Sequence, residues 1–390
     1  MVQGTFLKKL RHLKWDQAKL WQIDLIDEQK MEDAFMIRQV PDDLVFNVTK
    51  IAGFLPLFQR YVATRPTREL TSVEALTLAR DLNELDAFMY ENRLIQKRRQ
   101  KQLRSLGIVD VLIRMLEAPF KDGQIKNYDA VSKPEHNNTQ MVMVNVFRVL
   151  QSFLKGNCRK NEMYMCQFAP FLWELYGTNM KVEPMFNELV RDNRKVIQCV
   201  TVAEVERIVR MLYGDDGKNP DYLEFLTVLC VCDGAPIRRY QAIVGQVLLM
   251  GTVKERGQAA LFLTEVRSMP GCNQKEVRVS VTGNPQDEIP LETFALSALD
   301  EDDRTSSEEY LFLQRQLDLF GKLCLGRMEQ NIKLITVDLG YLTFEECFMC
   351  MQARSETRES AQQRTMSATG QNNRSDFVTP TIPLGLPGPR

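Results

Sequence analysis

Histidine is nearly missing from this chain. Only His12 and His136 occur in 390 residues. That leaves little material for a Ser-His-Asp triad or a histidine-rich metal site. No P-loop, nucleophile elbow or HExxH motif is present either. No enzymatic constellation stands out, so neither catalysis nor a cofactor is expected. Long apolar runs are a second absence. No stretch approaches the roughly 18 uninterrupted apolar residues of a membrane helix. Residues 141–154 are interrupted by Asn145 and Arg148, and 225–232 is short. No transmembrane segment is expected. Excess charge is missing too: 50 Lys and Arg face 51 Asp and Glu, a formal net charge of −1. This argues against a globally basic nucleic-acid binder, although a local patch can hide in the average. The first ten residues lack an apolar secretory core, so the chain is expected to face the cytosol.

The nine cysteines are scattered, which suits free and mostly buried thiols in a reducing compartment. Cys230 and Cys232 form a CxC and Cys347 and Cys350 a CxxC. A structural zinc site wants two such pairs, but buried thiols on helical faces are the better reading, and no metal is expected. Asp215-Asp216-Gly217-Lys218-Asn219 has calcium-loop composition with the wrong spacing, and reads as a solvated turn.

Residues 21–40 alternate with a period near two and read as two strands with a turn at 27–30. From about Leu44 the pattern becomes helical. Thr71-Ser72-Val73-Glu74 is a capping box, followed by an apolar stripe through Ala75, Leu78, Leu82, Leu85 and Met89. Thr201-Val202-Ala203-Glu204 repeats the device ahead of Val205, Ile208, Val209 and Leu212. Further helices are expected near 104–117, 139–155, 159–176, 182–197, 220–232 and 236–251, with Gly or Pro near most breaks. The expected fold class is all-α, an armadillo/HEAT-like α-solenoid without a clean sequence period. The pattern loosens over 270–305, where Val277, Val279 and Val281 suggest a short strand and 300–303 an acidic loop. Tyr310, Leu313, Leu317 and Phe320 then share a helical face, and after Ala353 the composition turns to Ser, Thr, Gln, Asn and Pro, as in a disordered tail.

The most informative stretch is 92–104. It holds Arg93, Lys97, Arg98, Arg99, Lys101 and Arg104 without one acid. Lys97, Lys101 and Arg104 stand at i, i+4 and i+7 and so project from one side of a helix. Like charges at that spacing repel, and the stripe invites a polyanion: phosphates, nucleic acid or an acidic lipid head group. The plainer reading is a solvated face or an import-like basic run. Arg159 and Lys160 open another helix, where basic residues oppose the macrodipole and make better sense beside an anion.

Several short motifs then carry a resemblance. Gln100-Lys101-Gln102-Leu103-Arg104, Leu116-Glu117-Ala118-Pro119-Phe120 and Arg159-Lys160-Asn161-Glu162 followed by Gln167-Phe168 occur in order. Asp192-Asn193-Arg194-Lys195, residues 201–209 and residues 221–230 continue the series, with a weaker echo at 310–327. Each motif is weak alone. In this order, over most of the chain, they resemble the inositol trisphosphate receptor and ryanodine receptor family of intracellular calcium-release channels. The match is to the RIH homology domain that both share.

That resemblance implies an armadillo-like helical domain that meets a β-trefoil across an inositol trisphosphate. It implies ligand contacts from Lys101 and Arg104, with Lys97 a third, and from Arg159 and Lys160. Cys158 stands where the family has a tyrosine, so that contact is lost. These charges favour the inositol trisphosphate type over the ryanodine type. Residues 1–43 resemble the end of a trefoil, 44–255 the RIH domain, 256–306 an irregular connection, 307–352 a second helical segment and 353–390 a disordered tail. Since the rest of the trefoil and the channel region are not in this sequence, a piece of a receptor or a divergent soluble relative is expected, with weak inositol trisphosphate binding. The implied partners are that ligand and other segments or subunits of the channel. The implied place is the cytosolic face of the endoplasmic reticulum membrane, or otherwise the cytoplasm. A structural solenoid that binds only proteins is the competing expectation, and peripheral binding to phosphoinositide membranes a weaker one.

Overall fold

The computed structural model describes residues 42–65, 68–90, 93–123, 125–156, 158–214, 218–250, 261–268, 275–280, 288–297, 304–346 and 349. The strands expected at 21–40, the 215–217 part of the solvated turn, the 300–303 loop, the Cys347 and Cys350 pair and the 353–390 tail lie outside the described residues. The chain divides into two compact units, residues 1–55 and 56–390. In the first, the described residues form helix α1 (Asp42–Gly53).

The next helices are α2 (Leu55–Thr64), α3 (Ser72–Tyr90), α4 (Arg93–Ser105), α5 (Ile108–Glu117) and α6 (Asn137–Leu154). Then follow α7 (Arg159–Met165), α8 (Ala169–Glu174), α9 (Glu183–Val190), α10 (Arg194–Cys199), α11 (Val202–Leu212) and α12 (Pro220–Cys230). A hairpin of β1 (Val231–Cys232) and β2 (Ala235–Pro236) leads into α13 (Arg238–Val244). The most extensive helix packing places α3 on α6, α6 on α9 and α9 on α12. Helix α15 (Arg304–Cys324) continues the spine by packing on α12. Every third helix is a member as far as α12, a three-helix unit as in an armadillo repeat. The spine helices start at 72, 137, 183, 220 and 304. This uneven spacing explains why an all-α, armadillo/HEAT-like stack leaves no period in the sequence.

Both capping boxes form. Thr71 Oγ1 accepts the Glu74 N–H at 3.3 Å, and the Glu74 carboxylate accepts the Thr71 N–H at 3.1 Å. Thr201 Oγ1 accepts the Glu204 N–H at 3.3 Å, and Glu204 accepts the Thr201 N–H at 2.5 Å. The two apolar stripes behind them are the buried faces of α3 and α11. Thr201→Ala should therefore cost about 1 kcal/mol. A lowered urea midpoint with unchanged slope checks this, and an unchanged midpoint would refute it.

Two expected helices are each broken. Over 159–176, α7 ends at Met165 and α8 restarts at Ala169 with Pro170 in its first turn. Proline lacks the N–H and crowds the preceding turn, so the helix cannot run through. Over 182–197, α9 and α10 are separated by Asp192 at φ 53°, and Asn193 caps α10 by accepting the Val196 N–H at 3.3 Å.

Residues 256–306 contain a three-stranded antiparallel sheet of β3 (Leu263–Ser268), β4 (Lys275–Ser280) and β5 (Glu288–Pro290), where the sequence suggests one strand. Val266 faces Val277 and Val279 faces Ile289 in its register. Helix α14 (Leu291–Ser297) follows, and Phe294 and Phe312 of α15 both meet Phe262. The buried face of α15 runs through Phe312, Leu313, Gln316, Leu319, Phe320 and Leu323, while Tyr310 and Leu317 are half-buried at its edges. Gln316 is inside because its amide exchanges two 2.8 Å hydrogen bonds with the Phe262 backbone.

Candidate functional site

Helix α4 has two faces. Inward, Leu103 is fully buried, and Arg99 lies 3.7 Å from the Phe88 ring centroid and donates to the Phe88 carbonyl. Arg99 is thus a structural residue despite its place in a basic run. Outward, Lys97 and Lys101 are exposed and make no hydrogen bond or ion pair among the described residues. Arg104 is half-buried at the edge and donates from Nη1 to Asn161 Oδ1 at 2.5 Å.

That bond brings the two basic clusters together, because Asn161 belongs to α7 with Arg159 and Lys160. Lys160 is exposed and has no partner among the described residues. Arg159 is held more firmly. Its Nη1 donates to Glu162 at 3.0 Å, its Nη2 donates to the Asp192 carbonyl, and Nη2 lies 3.8 Å from Asp233 Oδ2. Glu162 is fully buried and also accepts from Asn193 Nδ2 at 2.8 Å. The five expected cations therefore divide into three lysines without a partner among the described residues and two anchored arginines. Cys158 caps the start of α7, half-buried.

Two further residues build the joint, and sequence reading assigned them no role. Gln100 Nε2 donates to the Ser152 and Lys155 carbonyls at 2.9 and 2.7 Å, satisfying the C-terminus of α6. Asn161 Nδ2 donates to the Phe153 carbonyl at 3.1 Å. The chain turns between them at Gly156, φ 95°.

The same joint recurs at the end of α15. Gln241 Nε2 donates to the Lys322 and Leu325 carbonyls at 2.7 and 2.9 Å. Asn331, on α16 (Glu329–Lys333), donates to the Leu323 carbonyl at 3.1 Å, and the chain turns at Gly326, φ 74°. Aligned on these amides, Ala242 stands at the place of Lys101, Gly245 at that of Arg104, Glu329 at that of Arg159 and Gln330 at that of Lys160. Gly245 is pressed against Asn331, which leaves no room there for a side chain. The signal for this repeat was present as an Asn five residues after a glycine, while the Gln lies at unequal distances ahead of it. Two occurrences are too few to show as a period.

Cys230 is fully buried, and burial pushes its thiol pKa up, as an inert core cysteine requires. Among the described residues no group of His, Cys, Asp and Glu is placed to hold a metal ion, and no helix is long and apolar enough to cross a membrane.

Residues 74–263 match the family model for the RIH domain. An inositol 1,4,5-trisphosphate receptor-like protein of Dictyostelium discoideum is 24% identical over 215 residues, 54% of this chain and 6% of that protein. An inositol 1,4,5-trisphosphate receptor of Caenorhabditis elegans is 22% identical over 234 residues, 58% of this chain and 8% of that protein. The match thus spans less than a tenth of either relative's length. The RIH match begins in α3 and ends in β3, so it takes in both basic clusters and the first joint. Through residues 74–263, just under half of its length, this chain is similar to the RIH-domain family.

Proposed function

We propose that Lys97, Lys101, Arg104, Arg159 and Lys160 form the helical half of an inositol trisphosphate site, in a cytosolic regulatory segment of an intracellular calcium-release channel. The carrying observation is the repeated joint. At the second joint the same amides close the same helix end without any of the aligned Lys101, Arg104, Arg159 and Lys160 charges. Lys101 and Lys160 are therefore surplus to the architecture, whereas Arg104 and Arg159 are anchored in it and Arg238 stands at the place of Lys97; Lys97, Lys101 and Lys160 lack partners among the described residues. Clustered unpaired ammonium groups beside a guanidinium suit a ligand with several phosphates. Another segment or subunit of the channel, on the cytosolic face of the endoplasmic reticulum, supplies the opposite half. Alone, this half binds weakly.

Calorimetry with inositol 1,4,5-trisphosphate tests the reading. Lys101→Glu with Lys160→Glu should weaken binding at least about tenfold, since each lost charge-assisted contact is worth more than a neutral one. Stability should move by less than about 0.5 kcal/mol per exposed site. No heat from the unaltered chain, even with a trefoil partner supplied, or unchanged heat from the double variant, would overturn it. The ligand-free reading, a protein-interaction module, draws on Val73 and Leu76, exposed one turn apart on α3. It requires the double variant to keep every partner and the unaltered chain to ignore the ligand.

A further inference from the structure

Two of the four non-glycine residues with left-handed backbone among the described residues meet at Arg159. Asp192, φ 53°, lies just beyond the end of α9, where glycine is usual. Its carbonyl accepts from Arg159, and its Oδ1 accepts the Asp233 N–H at 2.7 Å. Asp233 and Gly234, φ 50° and 76°, are the two turn residues of the β1–β2 hairpin. Positive φ at both is the type I′ turn that Asp-Gly favours. This turn points the Asp233 carboxylate at the guanidinium, with Oδ2 3.8 Å from Nη2.

The ion pair is poorly suited to a stabilising role. The Arg159 side chain is 49% exposed and that of Asp233 72%. Solvated pairs of this kind contribute under about 1 kcal/mol. Its electrostatic consequence for the site is larger than its consequence for the fold. An acid beside one of the two arginines reduces the positive potential offered to an anion. It also occupies the outer edge of the guanidinium, where a phosphate would dock with two parallel bonds.

We propose that the Asp233 turn is a built-in competitor for the anion at Arg159, so that phosphate binding displaces Asp233 and loosens the β1–β2 hairpin ahead of α13. This rests on the anion-site reading above and adds a regulation to it. A phosphate that takes Nη2 removes both the Asp192 carbonyl bond and the Asp233 pairing. Apart from its own strand pairing and the Cys232 thiol 3.7 Å from Asp233 Oδ2, the turn then keeps the bond from its N–H to Asp192 Oδ1.

The test is a calorimetric cycle with inositol 1,4,5-trisphosphate on the full chain, using Asp233→Asn, Arg159→Met and the double variant. Asn-Gly also favours the type I′ turn, so the hairpin persists in Asp233→Asn. Asp233→Asn should bind about threefold more tightly, the scale of an exposed charge pair. In the Arg159→Met background the same change should add nothing. A second measurement needs no variant: saturating ligand should speed amide exchange at Asp233 in the unaltered chain. Equal affinity of Asp233→Asn and the unaltered chain would overturn the proposal. So would a gain that survives without Arg159, which marks a general charge effect. In either case the anion site stands if Lys101→Glu with Lys160→Glu abolishes binding. If the unaltered chain and Asp233→Asn both give no heat, the site and its regulation fall together.

Discussion

Glu162→Ala should destabilise the chain by about 3 kcal/mol, because it strips the acceptor from two donors at once. Glu162 is fully buried in the first turn of α7. One carboxylate oxygen, Oε2, accepts from both Arg159 at 3.0 Å and Asn193 at 2.8 Å. Asn193 is itself buried and caps α10, so its freed amide has no route to water. Arg159 is half-exposed and loses less, since solvent can take over part of its hydration. Glu162→Gln keeps an acceptor oxygen and should cost markedly less than Ala. Denaturant unfolding of the two variants separates the contributions. A Glu162→Ala variant within about 1 kcal/mol of the unaltered chain would show that the α7–α10 link is not held by this carboxylate.

The helical frame was legible in the sequence wherever one local rule decided it. The Thr71 and Thr201 boxes and the stripes behind them are set by spacing alone, and they form as read. The breaks were less legible, because they depend on partners far along the chain. Asp192 adopts a glycine-like φ where its carbonyl and carboxylate serve Arg159 and Asp233, residues on either side of it in sequence. The basic stripe on α4 stood out as charge. Its division into outward lysines, an inward Arg99 and an edge Arg104 depends on Phe88 and Asn161, which spacing cannot place. In the sequence Gln100 and Asn161 are only letters of a motif. Their work of closing the end of α6 becomes visible only beside Gln241 and Asn331.

Stability should fall as pH rises from about 4 to about 7, to the extent set by two carboxyls where α9 meets α12. Glu183, at the start of α9, is almost wholly buried and accepts the Gly177 N–H at 3.0 Å. Asp221 lies in the first turn of α12, and its carbonyl accepts from Asn187 Nδ2 at 3.1 Å. Burial pushes the Glu183 pKa from 4.5 up to about 7; Asp221 adds to the push and Lys181 opposes it. Burial raises Asp221 from 3.8 to about 6, aided by Glu224 and opposed by Lys181 and Arg315. The Tyr176 hydroxyl faces the same carboxyls from the preceding turn, fully buried and without a partner among the described residues. The folded chain therefore keeps protons that the unfolded chain has already released. Below about 4 both states are protonated and nothing is lost. Through the window between the unfolded and folded values, each step up in pH favours unfolding, and above about 7 the loss levels off. Glu183→Gln removes this titration while its amide oxygen still accepts the Gly177 N–H. At pH 4.5 the variant and the unaltered chain should unfold at similar urea midpoints. At pH 7.5 the variant should be the more stable by on the order of 3 kcal/mol. A stability difference that does not change with pH would mean that Glu183 is ionised at neutral pH and paired with Lys181. Lys181→Met would then destabilise the chain, whereas with a protonated Glu183 it should be nearly neutral.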